Sequence, residues 1–218
     1  MADPYGDAWD DDHARIHFSG RELLHLLASV VVLTLAFALV LGARNDDFSN
    51  LVDVPELLRL LPYAAVAVVP AFILHELAHK IVAQRRDMWA EFRANPIGLV
   101  GGLVVTALTG FLFALPGAVE IVGHADRRDA GVISIVGPMV NVGIAGLAMA
   151  LEPLFPPIRV SDFGSFFELI VLLNLILAGF NMIPLGPLDG RKVWSWSKLG
   201  FFGMWALILG MAFVAIAL

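Results

Sequence analysis

The chain has 218 residues, of which 59% are apolar and 16% charged, and its mean hydropathy is +0.81. Soluble domains average about 45–50% apolar and about 25% charged residues, so this composition excludes an ordinary soluble domain and a disordered chain. The formal net charge of −6 and the absence of a basic cluster argue against a nucleic-acid partner, and the absence of cysteine excludes disulfides and thiolate chemistry.

The N-terminal residues 1–22 are predicted to form an acidic, solvated tail. They lack the positively charged start of a signal peptide, so the apolar stretch 23–42 is predicted to be a retained first membrane span. About 20 apolar residues suffice for a helix to cross the hydrocarbon core. Residues 23–218 are therefore predicted to form a single membrane-embedded domain, with further spans at 61–83, 132–152, 164–186 and 199–218 and a sixth apolar stretch at 97–116.

The stretch 97–116 differs from the others because it is rich in glycine and threonine, which weaken a helix. Six crossings would divide the Lys and Arg residues equally between the two sides. If 97–116 enters the membrane and returns to the same side, only Arg44, Arg59 and Arg159 of the 14 Lys and Arg residues lie outside. The positive-inside rule therefore favours five crossings and one re-entrant element.

A second irregular element is predicted directly after this stretch. Residues 118–122 and 132–136 are short β-type runs joined by a polar turn, and they are expected to form a hairpin. The predicted fold is thus an all-α polytopic membrane protein of five to six transmembrane helices. A re-entrant or β-hairpin element lies between its second span and the span that follows.

The second span ends in His75-Glu76-Leu77-Ala78-His79. On a helix, His75 and His79 lie one turn apart on the same face, a spacing that suits two ligands of one tetrahedral zinc ion with Glu76 beside it as a base. Ionisable groups within a span are costly unless they are paired or solvated, so three in five residues indicate a functional site. The structural alternative is an interfacial helix end that leaves the membrane near Leu74.

A catalytic zinc ion usually takes three protein ligands, and Asp189 is the preferred third ligand. It follows the charge-free run 169–188, and Pro184 and Pro187 interrupt helical hydrogen bonding beside it, so a carboxylate can be held there in a fixed direction. The other candidates suit the role less well. Glu91 and His124 are expected to be solvated, Glu120 to lie on the hairpin, and Glu168 to lie about 30 Å away at the other end of the helix.

These motifs together resemble the site-2 protease family of intramembrane zinc metalloproteases. The resemblance covers residues 60–192: HELAH in one span, NMIPLGPLDG at 181–190 at the end of a later one, and GPMVN at 137–141 between them. It implies that His75, His79 and Asp189 bind one Zn²⁺ per chain and that Glu76 is the general base. It also implies that Asn181 steadies the substrate or the developing oxyanion.

The resemblance implies further that the protein is a multi-pass protein of the cell membrane and takes part in regulated intramembrane proteolysis. It would cleave transmembrane segments of a client membrane protein within the lipid bilayer. The length leaves no room for a PDZ domain, so a PDZ-less member is expected. A membrane transporter or binding protein for divalent metals, using the same ligands, is the alternative. The client and the oligomeric state stay open.

Overall fold

A computed structural model describes residues 16–42, 54–113, 115–162 and 164–217, which are mostly helical. Residues 1–15 of the predicted acidic tail lie outside these ranges. The helices of the described chain are α1 (Gly20–Gly42), α2 (Val54–Gln84), α3 (Pro96–Thr109), α4 (Arg127–Leu151), α5 (Phe166–Asn181), α6 (Asp189–Trp196) and α7 (Lys198–Ala217). Its strands are β1 (Trp89–Ala94), β2 (Gly117–Val122), β3 (Arg159–Ser161) and β4 (Gly164–Ser165).

Within the described ranges, four helices are long and apolar enough to cross a membrane. They are α1, α2, α4 with its 3₁₀ extension to Leu154, and α7. The apolar helix α5 has only 16 residues and is therefore about 24 Å long, which is less than the hydrocarbon core of about 30 Å. The membrane class of the predicted fold is thus confirmed, whereas a fifth crossing through α5 stays a prediction.

The predicted pairing of 118–122 with 132–136 is wrong. Strand β2 pairs instead with β1, antiparallel, and the residues 132–136 belong to α4. The helix begins early because the Asp126 side chain accepts a hydrogen bond from the backbone N–H of Asp129 and so caps its first turn. Within α4, Ile133 and Ile135 pack in different apolar clusters. The apolar residues that suggested a strand therefore cover two sides of a helix.

The stretch 97–116 contains helix α3 and the segment that leads back to β2. Despite its glycines the helix forms, because Asn95 caps its start, Pro96 occupies the first turn, and Gly110 ends it with φ of 67°. Ala94 lies opposite Gly117 in the sheet, so the chain leaves and returns at the same place. The position of this excursion relative to a bilayer stays a prediction.

A buried ion pair joins α1 to the end of α2 and to the sheet. The Lys80 ammonium lies 2.5 Å from Glu22 Oε2, and the two side chains are only 2% and 1% exposed. The other oxygen of Glu22 accepts a hydrogen bond of 3.0 Å from the backbone N–H of Phe92 in β1. Glu22, which was predicted to end the solvated tail, therefore fixes β1 against the helix that carries His75 and His79.

Candidate metal centre

Two histidines of α2 and one aspartate of α6 converge in the interior of the molecule. The Nε2 atoms of His75 and His79 lie 3.4 Å and 3.1 Å from Oδ2 of Asp189. All three residues are buried, and their potential ligand atoms lie within 4.8 Å of one another. Among the described residues, this is the only group of three or more His, Cys, Asp or Glu side chains that could hold a metal ion.

The local sequence places Asp189 by ending α5 and starting α6 within a short turn. Residues 182–188, which contain Pro184 and Pro187, form no regular helix, as the two prolines predict. Asp189 is the first residue of α6, and Gly190 follows it against the backbone of Met182. A Cβ atom at position 190 would collide with the Met182 carbonyl, so the turn requires glycine there.

Helix α4 packs against the two histidines with residues that are four positions apart. Nδ1 of His79 lies 2.6 Å from the carbonyl oxygen of Ile133, and Nδ1 of His75 lies 2.5 Å from Oδ1 of Asn141. Gly137 lies between them. A Cβ atom built on Gly137 would come within 2.6 Å of His75 Nε2 and closer still to His79 Nε2. The glycine thus keeps free the space into which both Nε2 atoms point.

A cavity of about 420 Å³ opens at the three residues. Glu76 lines it and is buried, and its Oε2 atom has no hydrogen-bond partner within the described part of the chain. Asn181 and Lys192 line the same cavity. Residues of β2 also line the cavity. The cavity can therefore bring an extended polypeptide next to the His75–Asp189 cluster.

The residues present fit a zinc ion. Two imidazoles and one carboxylate are a catalytic zinc ligand set that leaves a fourth position for water. Gly137 leaves room at the Nε2 atoms, and the unpartnered oxygen of Glu76 is a buried acceptor of the kind that a proton-transfer role requires. The space beside Gly137 and the free oxygen of Glu76 thus agree with the ligand set of two imidazoles and one carboxylate.

The other predicted ligand candidates are placed elsewhere. Glu91 was expected to be solvated, which is wrong: it is 7% exposed and forms an ion pair with Arg93. Glu120 lies on β2 and lines the cavity, and His124 is exposed in the loop before α4. Glu168 caps the first turn of α5 through Ser165, at the opposite end from Asn181.

Sequence reasoning missed the part of the cavity wall that Lys192 and Gly137 form. Lys192 lies three residues after Asp189, which on a helix places it on the same face, so its position could have been inferred from α6. The GPMVN motif drew attention to Gly137, but the sequence alone offers no physical reason for a glycine at this position. Only the packing of α4 against α2 shows why a side chain is excluded there.

Known proteins with similar sequences are zinc metalloproteases by name. The chain is 34% identical over 192 residues to the protein named Putative zinc metalloprotease MJ0611 of Methanocaldococcus jannaschii, covering 88% of this chain and 90% of that protein. It is 31% identical over 151 residues to Putative zinc metalloprotease YwhC of Bacillus subtilis, covering 62% and 69%. No family model and no solved structure matches the chain.

Proposed function

Because the chain belongs to the family of zinc metalloproteases that these relatives represent, we propose that it is an intramembrane endopeptidase of the site-2 protease type. The observation that carries the proposal is the position of the metal centre. His75, Glu76 and His79 lie on α2, one of the helices long enough to span a membrane. A peptide bond cleaved beside this helix would then belong to a membrane-embedded segment. The proposed substrates are therefore transmembrane helices of client proteins, reached by a multi-pass enzyme of the cell membrane.

Three residues would hold the zinc ion: His75, His79 and Asp189. Zinc bound there supplies Lewis acidity, which lowers the pKa of water and polarises a peptide carbonyl. Glu76 accepts the proton of the attacking water with its free Oε2 and then delivers it to the leaving amine. Positioned proton transfer of this kind contributes about 10²–10⁴-fold to the rate.

Asn181 is proposed to stabilise the developing oxyanion. Its side chain lines the cavity, and one of its N–H groups donates a hydrogen bond of 3.0 Å to the Leu177 carbonyl. An asparagine amide has two N–H donors, so the second is available for a substrate oxygen. The bond to Leu177 holds the amide in place before the substrate arrives, which is the preorganisation that such donors need.

One edge of the β1–β2 sheet is already occupied by α1. The backbone N–H groups of Phe92 and Ala94 donate to Glu22 and to His25, so they point away from β2. When one residue of an antiparallel pair directs its backbone N–H and C=O groups away from the partner strand, the residue directly opposite does the same on the other side. The partner of Phe92 is Val119, which therefore directs its N–H and C=O groups to the opposite, open edge of the sheet.

That open edge faces the metal centre. Gly117, Val119 and Ile121 of this edge line the same cavity as Glu76. A substrate helix must unwind before its carbonyls can react, because the helix hides them in its own hydrogen bonds. Addition of the unwound segment to the edge of β2 would hold it extended beside Glu76. The geometry of the sheet supports this role for β2.

Val119→Pro removes one donor of the open edge without removing a bond between β1 and β2. We expect the KM for a transmembrane reporter to rise about 2- to 10-fold, the equivalent of one backbone hydrogen bond. The zinc content should not change. Val119→Ala is the matched control, since it trims the side chain and keeps the N–H. An equal rise of KM in both variants would contradict strand addition.

The metal centre also constrains the membrane topology. The histidines lie towards the C-terminal end of α2, and Asp189 follows the C-terminal end of α5. We propose that these two helices run in the same direction and that 97–116 is re-entrant. The loops 85–96, 117–131 and 190–198 then share the cytoplasmic side. The pairing of β1 with β2 supports the first two assignments, since both strands must lie on one side.

Single cysteines in this cysteine-free chain test the topology by labelling with a membrane-impermeant reagent. We expect Arg86→Cys, Arg127→Cys and Lys192→Cys to be protected in intact cells and labelled after permeabilisation. Arg159→Cys is the control for the outside and should be labelled in intact cells. Labelling of Arg127→Cys from outside, with Arg86→Cys protected, would show that 97–116 crosses the membrane.

A further inference from the structure

The GPMVN motif ends in Asn141, a completely buried side chain of α4 with hydrogen bonds to two other helices, α2 and α5. Its Oδ1 lies 2.5 Å from Nδ1 of His75 in α2. Its Nδ2 lies 2.9 Å from the carbonyl oxygen of Ala71 and 2.9 Å from Oδ1 of Asn174 in α5. Both Asn141 and Asn174 are 0% exposed.

These contacts fix which way the Asn141 amide points. A backbone carbonyl can only accept, so the atom next to the Ala71 oxygen must be the donor Nδ2. Asn174 is oriented in the same way, since its own Nδ2 donates a hydrogen bond of 2.8 Å to the Ile170 carbonyl. Its Oδ1 therefore faces Asn141 and accepts the second N–H. Two independent acceptors thus leave Oδ1 of Asn141 directed at His75.

The orientation of the amide determines the tautomer of the imidazole. An amide oxygen can only accept, so the neutral His75 ring must carry its proton on Nδ1. Its Nε2 then has a free lone pair, and Nε2 is the atom that points at Asp189. The Ile133 carbonyl acts on His79 in the same way. That contact comes from the backbone, however, whereas Asn141 acts through a side chain.

We propose that Asn141, held in place by Asn174, is a positioning residue that fixes the tautomer and orientation of His75 for metal binding. The inference rests on the proposed metal centre and adds a role for the GPMVN motif. A mere packing role for Asn141 would require only its bonds to Ala71 and Asn174. The contact with His75 Nδ1 would then be dispensable for the metal.

The test measures zinc affinity of the purified full-length protein in competition with a chromophoric chelator. Asn141→Leu keeps the branched shape of the side chain and removes the acceptor, so we expect zinc affinity to fall about 10- to 100-fold, as for other partners of ligating histidines. Asn141→Asp keeps an acceptor for Nδ1 but loses the donor to Ala71 and Asn174, so its affinity should lie between those of the wild type and Asn141→Leu. Asn174→Leu frees the Asn141 amide to rotate and should give an intermediate loss.

A control and a second readout separate positioning from loss of stability. Thr106→Val removes a buried hydroxyl that exchanges hydrogen bonds with the backbone of Phe113, far along the chain from the histidines, and should leave zinc affinity unchanged. The visible absorption of the Co²⁺-loaded protein reports ligand geometry. We expect its band to shift in Asn141→Leu and not in Thr106→Val, even if both variants unfold more readily.

Wild-type zinc affinity and an unshifted Co²⁺ band in Asn141→Leu would overturn the inference while leaving the proposed function intact. Equal losses in Asn141→Leu and Asn141→Asp would also overturn it, because the acceptor would then be irrelevant. Failure of the wild-type protein to bind zinc would overturn the proposed function and this inference together.

Discussion

Replacement of Glu76 by glutamine should abolish cleavage of a transmembrane reporter while the protein keeps its zinc. The amide has nearly the same shape as the carboxylate, but it cannot take up the proton of the attacking water. We expect kcat to fall about 10²–10⁴-fold, the range for loss of a positioned general base. The measurement is reporter cleavage in proteoliposomes, with zinc content determined on the same preparation.

Glu120→Gln is the matched control, because Glu120 is a second carboxylate in the wall of the same cavity and is not adjacent to a histidine. It should retain most of the activity. Substantial cleavage by Glu76→Gln would contradict the general-base role. Equal losses in both variants would indicate a general dependence on the charge of the cavity instead.

Gly137→Ala should remove zinc from the protein. The added Cβ would lie within 2.6 Å of His75 Nε2 and nearer to His79 Nε2, so both rings must move away from the metal position. Overpacking of this kind costs about 1–3 kcal/mol, which would correspond to a loss of affinity of about 5- to 150-fold. The change should be measured as zinc retained after dialysis against a chelator, together with the thermal unfolding temperature.

Gly143→Ala provides the comparison within the same helix. A Cβ at Gly143 meets nothing within 4 Å, so alanine should be accepted there and should raise helix propensity. Zinc should stay bound in this variant. Full zinc retention by Gly137→Ala would contradict the assignment of the metal position between the two Nε2 atoms.

Elements that are determined by local sequence could be predicted. The pair His75 and His79 follows from helical spacing alone, and the break before Asp189 follows from Pro184 and Pro187. The apolar runs of α1, α2, α4 and α7 predict membrane helices because about 20 such residues suffice to cross the bilayer. Each of these inferences requires only neighbouring residues.

Features that depend on contacts between distant segments could not be predicted. Strand β2 pairs with β1, although helix α3 lies between them in the sequence. Residues 132–136 have the pattern of a strand, but they are helical because Asp126 caps a helix that begins before them. The burial of Glu22 depends on Lys80, which lies 58 residues further along the chain. The role of Asn141 likewise depends on His75 and Asn174, on two other helices.

The most direct test of the central claim is zinc analysis of the purified wild-type protein beside Asp189→Ala and Asp162→Ala. Asp189 is separated in sequence from the histidines and joins them only in the fold, whereas Asp162 is an exposed carboxylate in the turn between β3 and β4. We predict about one zinc ion per chain in the wild type and in Asp162→Ala, as expected for a single three-ligand site, and almost none in Asp189→Ala after dialysis against a chelator. Near-stoichiometric zinc in Asp189→Ala would contradict the metal centre formed by His75, His79 and Asp189.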